Sequence, residues 1–238
     1  MATRRTRLAV LADVPRLVAL NAAAYPDLVA NGVVFDAAQL MAQQAVFAEG
    51  QIVVEDDGVV VGAIATLIVP SAAALAPHTW VELTSHGTFA AHDPQGDALY
   101  LADVYVDPAA RNRGVGSALY DALFRLCERR RLARVVAGGR LWGYHEHAAT
   151  MSPAQYADEV VSGARRDQVL TSQLRAGFTM RGILDNYLDD WRSGSFATLL
   201  VWENALARPR DARVHGSSKG KECRPDPHPN RVQPDPRR

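Results

Sequence analysis

The hydrophobic pattern of this chain switches repeatedly between helical and strand periods. Arg7-Leu8-Ala9-Val10-Leu11 reads as a short strand. Asp13 to Ala24 follows as a helix that Asp13 caps, with Pro15 in its first turn and Pro26 ending it. Asp36 to Ala48 reads as a second helix, with Phe35, Leu40, Met41 and Phe47 spaced for one buried side. Gln51-Ile-Val-Val-Glu55, the turn pair Asp57-Gly58 and the run Val59 to Val69 make a β-hairpin signal. Residues 70–98 read as one long polar and aromatic connection. Leu99 to Val106 is β-rich and alternating, Ser117 to Arg131 is a strong helix striped by Leu119, Leu123 and Leu126, and Arg134 to Ala137 is a strand. Ser152 caps a helix to Ser162, Asp167 caps another to Ala176, and Gly177 stops it. Thr179 to Leu184 and Phe196 to Trp202 close the pattern as strands. The order predicts a mixed α/β sheet with helices on its faces.

Length and composition narrow the class. The chain has 238 residues, 48% hydrophobic and 22% charged, a soluble globular profile for one domain plus extras. No apolar run reaches about 18 residues, which excludes a transmembrane helix, and no membrane partner is expected. Cys127 and Cys223 are too few and too far apart for a disulfide framework or a cysteine zinc site, and no metal site is expected. Thr3-Arg4-Arg5-Thr6-Arg7-Leu8 faintly resembles a twin-arginine export signal. Asp13, Pro15 and Arg16 break the apolar stretch that such a signal needs, so the expected location is cytoplasmic.

The formal net charge is zero, but the zero hides a layout. No Lys or Arg occurs from Leu17 to Ala110, where eleven acids lie. Arg111 to Arg140 then holds eight arginines against two acids. Residues 206–238 carry nine basic and four acidic residues and six of the thirteen prolines. That segment reads as a disordered basic tail, 206–238, attached to a folded domain, 1–205. The layout suits an anionic ligand at the arginine segment and a cationic one at the acidic half. It does not favour nucleic acid.

One strand–loop–helix concentrates the chemistry: Leu101-Ala-Asp-Val-Tyr-Val-Asp-Pro-Ala-Ala-Arg111-Asn112-Arg113-Gly114-Val115-Gly116-Ser117-Ala118-Leu119. The glycines let backbone N–H groups approach a ligand, and the helix N-terminus adds orphan donors and partial positive charge. Arg111 and Arg113 add full charges. Together these make a pyrophosphate cradle. A Walker loop needs Gly-Lys-Ser/Thr, and the only lysines lie in the tail. A dinucleotide fingerprint needs a third glycine where Leu119 stands.

What remains, Arg-x-x-Gly-x-Gly between a strand and a helix, resembles the acetyl-coenzyme A loop of the GNAT N-acetyltransferase superfamily. Gly139-Arg-Leu-Trp-Gly-Tyr-His145, Met151-Ser-Pro-Ala-Gln-Tyr156, Leu170-Thr-Ser-Gln-Leu-Arg-Ala-Gly-Phe178 and Ala197-Thr-Leu-Leu-Val-Trp-Glu-Asn204 are similar to one branch: the acetyltransferase domain that some bacterial proteins carry fused to a nitrilase-type amidohydrolase. The resemblance spans roughly residues 5–205 and covers the transferase half only. It implies a GNAT-like, mostly antiparallel sheet flanked by helices, with acetyl-CoA as co-substrate. Val104 and Val106 would present backbone to the pantetheine arm and the thioester carbonyl, Arg111 and Asn112 would belong to the cofactor loop, and the N–H groups of Arg113, Gly114, Val115, Gly116, Ser117 and Ala118 would hold the pyrophosphate.

Transfer to an amine needs a proton acceptor. Asp103 on the cofactor strand could take the ammonium proton, directly or through water, or hold the cation. Its alternative is a polar residue on a solvent-facing strand side. Tyr144 and His145 follow the next strand at the sheet edge where α/β sites open, and His145 suits base work near pH 7. Many family members place a thiolate-protonating tyrosine four residues before a Gly-Phe pair. Here that position is Gln173, leaving Tyr144, Ser172 or water as the acid. The expected function is direct acetyl transfer, in a ternary complex, to a small cationic amine. The alternative is a non-catalytic acetyl-CoA-binding module. A homodimer stays open.

Overall fold

The computed structural model describes residues 3–31 and 33–207, and all structural statements concern these residues. Residues from 208 onward, nearly all of the expected tail, lie outside them. The strands are β1 (Arg4–Leu8), β2 (Gln51–Asp56), β3 (Val59–Val69), β4 (Ala98–Val106), β5 (Arg134–Arg140), β6 (Thr179–Leu184) and β7 (Ala197–Glu203). The helices are α1 (Val14–Ala24), α2 (Ala37–Phe47), α3 (Ser71–Leu75), α4 (Trp80–Thr84), α5 (Val115–Arg129), α6 (Pro153–Val161) and α7 (Leu170–Ala176).

One seven-stranded sheet runs β1-β2-β3-β4-β5-β7-β6. Every neighbouring pair is antiparallel except β4 and β5. The mixed, mostly antiparallel architecture is therefore as expected. β2 and β3 turn at Asp57-Gly58, whose φ angles of 49° and 81° are those a two-residue hairpin needs. The sheet separates two cores. Leu17 and Leu20 of α1 and Leu40 of α2 cover one face with Phe35, Trp80 and Tyr100. Leu119, Leu123 and Leu126 of α5 and Tyr156 of α6 cover the other with Ile64, Leu99 and Val135. Strands buried on both faces lose polar alternation, which is why Ala63 to Val69 is apolar or threonine throughout.

Several details differ from the pattern: Asp13 gives α1 no side-chain cap, and α5 and α7 start at Val115 and Leu170. β1 lies at Arg4–Leu8, not Arg7–Leu11. Its register is held by charge: Arg4 pairs with Asp56 at 2.8 Å, Arg5 with Glu55 at 2.9 Å, and Arg7 with Glu55 and Asp13 at 2.7 Å each. Leu8, Val10 and Leu11 stay exposed. The stretch 70–98 contains α3 and α4, and Thr79 and Glu82 form a reciprocal cap at the start of α4. β5 continues through Gly138 and Gly139 to Arg140, because β7 pairs with it along that whole length.

The feature that positions the site lies in the middle of the sheet. Ala65 faces Asp103 while Thr66 faces Leu101, so Ala102 is the extra residue of a β-bulge. β4 pairs with β5 only from Ala98 to Leu101. Past the bulge the two strands part, and β5 follows β7 instead.

Candidate active site

A cavity of about 1210 Å³ fills the fork between β4 and β5. Its walls come from the outer half of β4, the loop into α5, the end of β5 and the start of α7. That volume exceeds the common 300–1,000 Å³ of small-ligand pockets and suits a long ligand beside a second one.

The loop into α5 is shaped by its sequence. Asp107 caps the turn at Pro108, accepting from Ala109 N at 2.9 Å, and is held by Arg16 at 2.7 Å. Asn112 and Gly114 adopt left-handed φ angles of 60° and 82°. Gly114 is the residue before α5 and offers no side-chain cap, so the first N–H groups of α5 have no partner from a cap. Ala118 N donates back to Gly114 O at 3.1 Å. A Cβ on Gly116 would meet no protein atom within 4 Å, so its absence widens the cavity rather than relieving packing. Arg4 donates to Arg113 O at 2.6 Å and fixes the loop from outside, while Arg111 donates to Ala24 O at 3.1 Å and ties it to α1.

Of the cofactor-loop expectations, Val104, Val106, Arg111, Asn112, Gly114, Gly116 and Ser117 line the cavity. Arg113 points outward, the Val115 side chain enters the core, and the Ala118 N–H is used inside the helix.

Asp103 lies just past the bulge and lines the same cavity. It accepts from Asn21 Nδ2 at 2.8 Å and contacts Tyr25 Oη at 2.7 Å. Burial pushes its carboxyl up to about 6, against the opposing pull of those hydrogen bonds and of Arg140. Tyr25 Oη also lies 2.6 Å from Val104 O. One phenolic proton serves one acceptor, so a protonated Asp103 completes the set by donating to Tyr25 while Tyr25 donates to Val104 O. The geometry thus accommodates both protonation states of Asp103. Across the fork Arg140 is held by Asp190 and Asp27 at 2.8 Å each.

The other acids of the arginine-free stretch have structural work. Asp27, Glu49, Glu55, Asp56 and Asp107 bind arginines. Asp36 and Glu82 cap helices, and Asp57, Asp93 and Asp97 accept from the backbone N–H groups of Thr3, Gln95 and Ser71. The broad acidity of that half therefore narrows, at the cavity, to Asp103.

Tyr144 and His145 are placed outside the cavity lining. Tyr144 donates to Met151 O at 3.0 Å, and the His145 ring packs edge-on against Trp191, 4.8 Å between centroids. The turn at 144–146 presents Glu146 and His147 to the cavity instead. Gln173 does line it, is only 3% exposed, and its carbonyl oxygen has no hydrogen-bond partner.

Sequence reasoning missed Tyr25, Tyr120, Arg140 and Tyr187, which all line the cavity. Tyr120 stands one turn after Gly116 on the same face of α5, a spacing that could have revealed it. Burial holds its pKa above the ordinary tyrosine value, with nearby Ser172 pulling the other way.

The sequence profile of the acetyltransferase (GNAT) family matches residues 26–147. The chain belongs to the GNAT acetyltransferase family. It is 31% identical over 194 residues to YkwB of Bacillus subtilis, named an uncharacterized N-acetyltransferase, covering 82% of this chain and 86% of that one. It is 34% identical over 173 residues to YhcX of the same organism, whose printed name is "Probable hydrolase". That match takes in 72% of this GNAT chain and 34% of YhcX, as a domain shared with a longer protein would. Among solved structures, a GNAT-like decarboxylase, GphF, in complex with isobutyryl-CoA superposes with a TM-score of 0.68 and 28% identity, over 84% of this chain and 99% of that one. Among the described residues no helix is long and apolar enough to cross a membrane.

Proposed function

We propose that this GNAT protein moves the acetyl group of acetyl-CoA to the amine of a small acceptor, directly, within a ternary complex. The observation that carries the reading is the fork itself: a cavity with an anion cradle on one side and a buried proton acceptor, Asp103, on the other. The residues present fit the co-substrate. The first turn of α5 directs uncapped N–H groups and its dipole toward the cavity, Gly116 leaves room for a phosphate, and Arg111 adds charge. When bound, acetyl-CoA supplies the thioester and departs as the thiol.

The chain's own groups then divide the proton work. Asp103, with a pKa of about 6, is ionised at neutral pH and accepts a proton from the attacking amine. Its position among Asn21, Tyr25 and the bulge aims it past the end of the β4–β5 pairing. Tyr120, which lines the cavity and is kept protonated at neutral pH by burial, is the donor we assign to the leaving thiolate. It takes the place that the missing tyrosine at Gln173 leaves open. Asp103, with no arginine bound to it, is also what supports an acceptor that arrives as an ammonium ion. Residues 1–205 would then be the transferase domain, and cytoplasmic acetyl-CoA its supply.

The test is acetyl-CoA turnover against a panel of small amines, with binding of coenzyme A measured in parallel. Turnover that falls at least a hundredfold in Asp103→Asn supports the reading. Coenzyme A binding without turnover on any amine would favour the non-catalytic module, for which Gln173 is the motive. A third arm supplies a β-carboxylated acyl-CoA: carbon dioxide release there, without amine acetylation, would replace transfer by decarboxylation.

A further inference from the structure

On the α1 side of the fork, three protonatable groups stand in line from the surface to the cavity. His78, half-buried on the connection between α3 and α4, places Nδ1 2.8 Å from Ala76 O and Nε2 3.1 Å from Tyr100 Oη. Tyr100, fully buried on β4, lies 2.7 Å from Tyr187 Oη. Tyr187 lines the cavity and senses the charge of Asp103. Its ring packs against β5 at Gly138, where an added Cβ would approach Tyr187 Cζ to 2.1 Å. Glycine at 138 is what lets the ring occupy this place.

We propose that His78, Tyr100 and Tyr187 form a proton relay between the acetyl-transfer cavity and the outer surface. The inference rests on the acetyl-transfer reading above and deepens it. An ammonium acceptor must lose two protons in the reaction, one matched by the departing thiolate and one that has to reach solvent. The hydrogen-bond polarity of the chain supplies the exit. Ala76 O accepts only, so neutral His78 carries its proton on Nδ1 and offers Nε2 as an acceptor. Tyr100 then donates to His78, Tyr187 donates to Tyr100, and the Tyr187 oxygen presents a lone pair to the cavity. A proton arriving there from Asp103 or the amine displaces one proton along each link. Tyr187 passes its own to Tyr100, Tyr100 passes its own to His78 Nε2, and the resulting imidazolium exchanges with water. No bond between heavy atoms changes.

With His78 protonated, every link points the other way, and Tyr187 becomes a donor into the cavity. The groups facing this chain are Glu82 on α4, the Ala76 carbonyl and Asp103, with the Gly138 N–H at Tyr187. Burial lowers the His78 pKa, so the accepting polarity prevails at neutral pH.

The experiment compares the wild type with Tyr100→Phe, which cuts the chain without changing its shape, and with His78→Ala, at a surface position. Steady-state acetyl transfer is followed from pH 6 to 9, with and without 50 mM added imidazole as an external proton carrier, about the concentration at which a weak site of millimolar Kd saturates. The relay predicts a kcat at least fivefold lower in both variants, coenzyme A affinity unchanged, and recovery by imidazole in His78→Ala but not in Tyr100→Phe. A merely structural role would give no imidazole recovery. A kcat within twofold of wild type in both variants, or no recovery, overturns the relay while leaving transfer intact. A wild-type chain with no turnover removes transfer and the relay together.

Discussion

Replacing Asp103 by asparagine should make the protein more stable while it loses activity. The carboxyl sits at about 6 where an ordinary aspartate sits at 3.8. Keeping it ionised in the folded state therefore costs about 3 kcal/mol at neutral pH. The sign follows from proton uptake. Below 3.8 the folded and unfolded chains both hold the proton, and there is no cost. Between 3.8 and 6 the unfolded chain releases it while the folded chain keeps it, so stability falls as pH rises. Above 6 the cost is complete. Asparagine does not titrate and still accepts from Tyr25. It loses the hydrogen bond from Asn21, which subtracts about 1 kcal/mol. The variant should thus gain about 2 kcal/mol above pH 7, a Tm higher by about 4–8 °C. Urea unfolding of both proteins at pH 5, 6, 7 and 8 reads the gap directly. It should widen from pH 5 to 7 and then level off. A gap that is flat with pH, or a variant less stable than wild type at pH 8, would refute the buried, raised carboxylate and with it the assignment of Asp103 as base.

Gly116→Ala should leave stability within about 1 kcal/mol, because the added Cβ meets no protein atom within 4 Å, yet weaken coenzyme A binding at least tenfold, or about 1.4 kcal/mol, by calorimetry. Arg140→Met leaves Asp190, which is wholly buried, without its partner, and unfolding should show a loss of about 3–5 kcal/mol. Gly138→Ala forces a methyl into the Tyr187 ring, and overpacking of this kind should cost about 1–3 kcal/mol and shift Tyr187 fluorescence or its NMR resonances; an unperturbed Tyr187 would contradict the packing described.

The α5 segment was readable from sequence because everything it needs is local. Its glycines, its uncapped start and its leucine stripe fall within sixteen residues. The hairpin at Asp57-Gly58 was readable for the same reason. β1 was misplaced because its determinant is charge across some fifty residues, Arg4 and Arg5 against Asp56 and Glu55, while the apolar residues that drew attention ended exposed. α3 and α4 were lost inside a long connection because five residues do not show a helical period, although the Thr79–Glu82 cap was visible. Along the cavity, the place of Asp103 near the end of β4 was legible from the strand pattern. Its partners Asn21 and Tyr25 lie 82 and 78 residues away and are brought to it only by α1 packing across β4. Tyr144 and His145 were correctly placed after β5, but a single short turn decides which of four consecutive side chains faces the cavity.

The brief pairing of β4 with β5 has a mechanical meaning. Four residue pairs are the whole seam between a four-stranded leaf, β1 to β4, and a three-stranded leaf, β5 to β7. A ligand lying in the fork would touch both leaves and act as a splint across that seam. Binding then strengthens the fold itself, by RT ln(1 + [L]/Kd), about 2.7 kcal/mol at a hundredfold excess over Kd. Slowed amide exchange should appear first at Val104, Val106, Gly138 and Gly139, where the leaves separate.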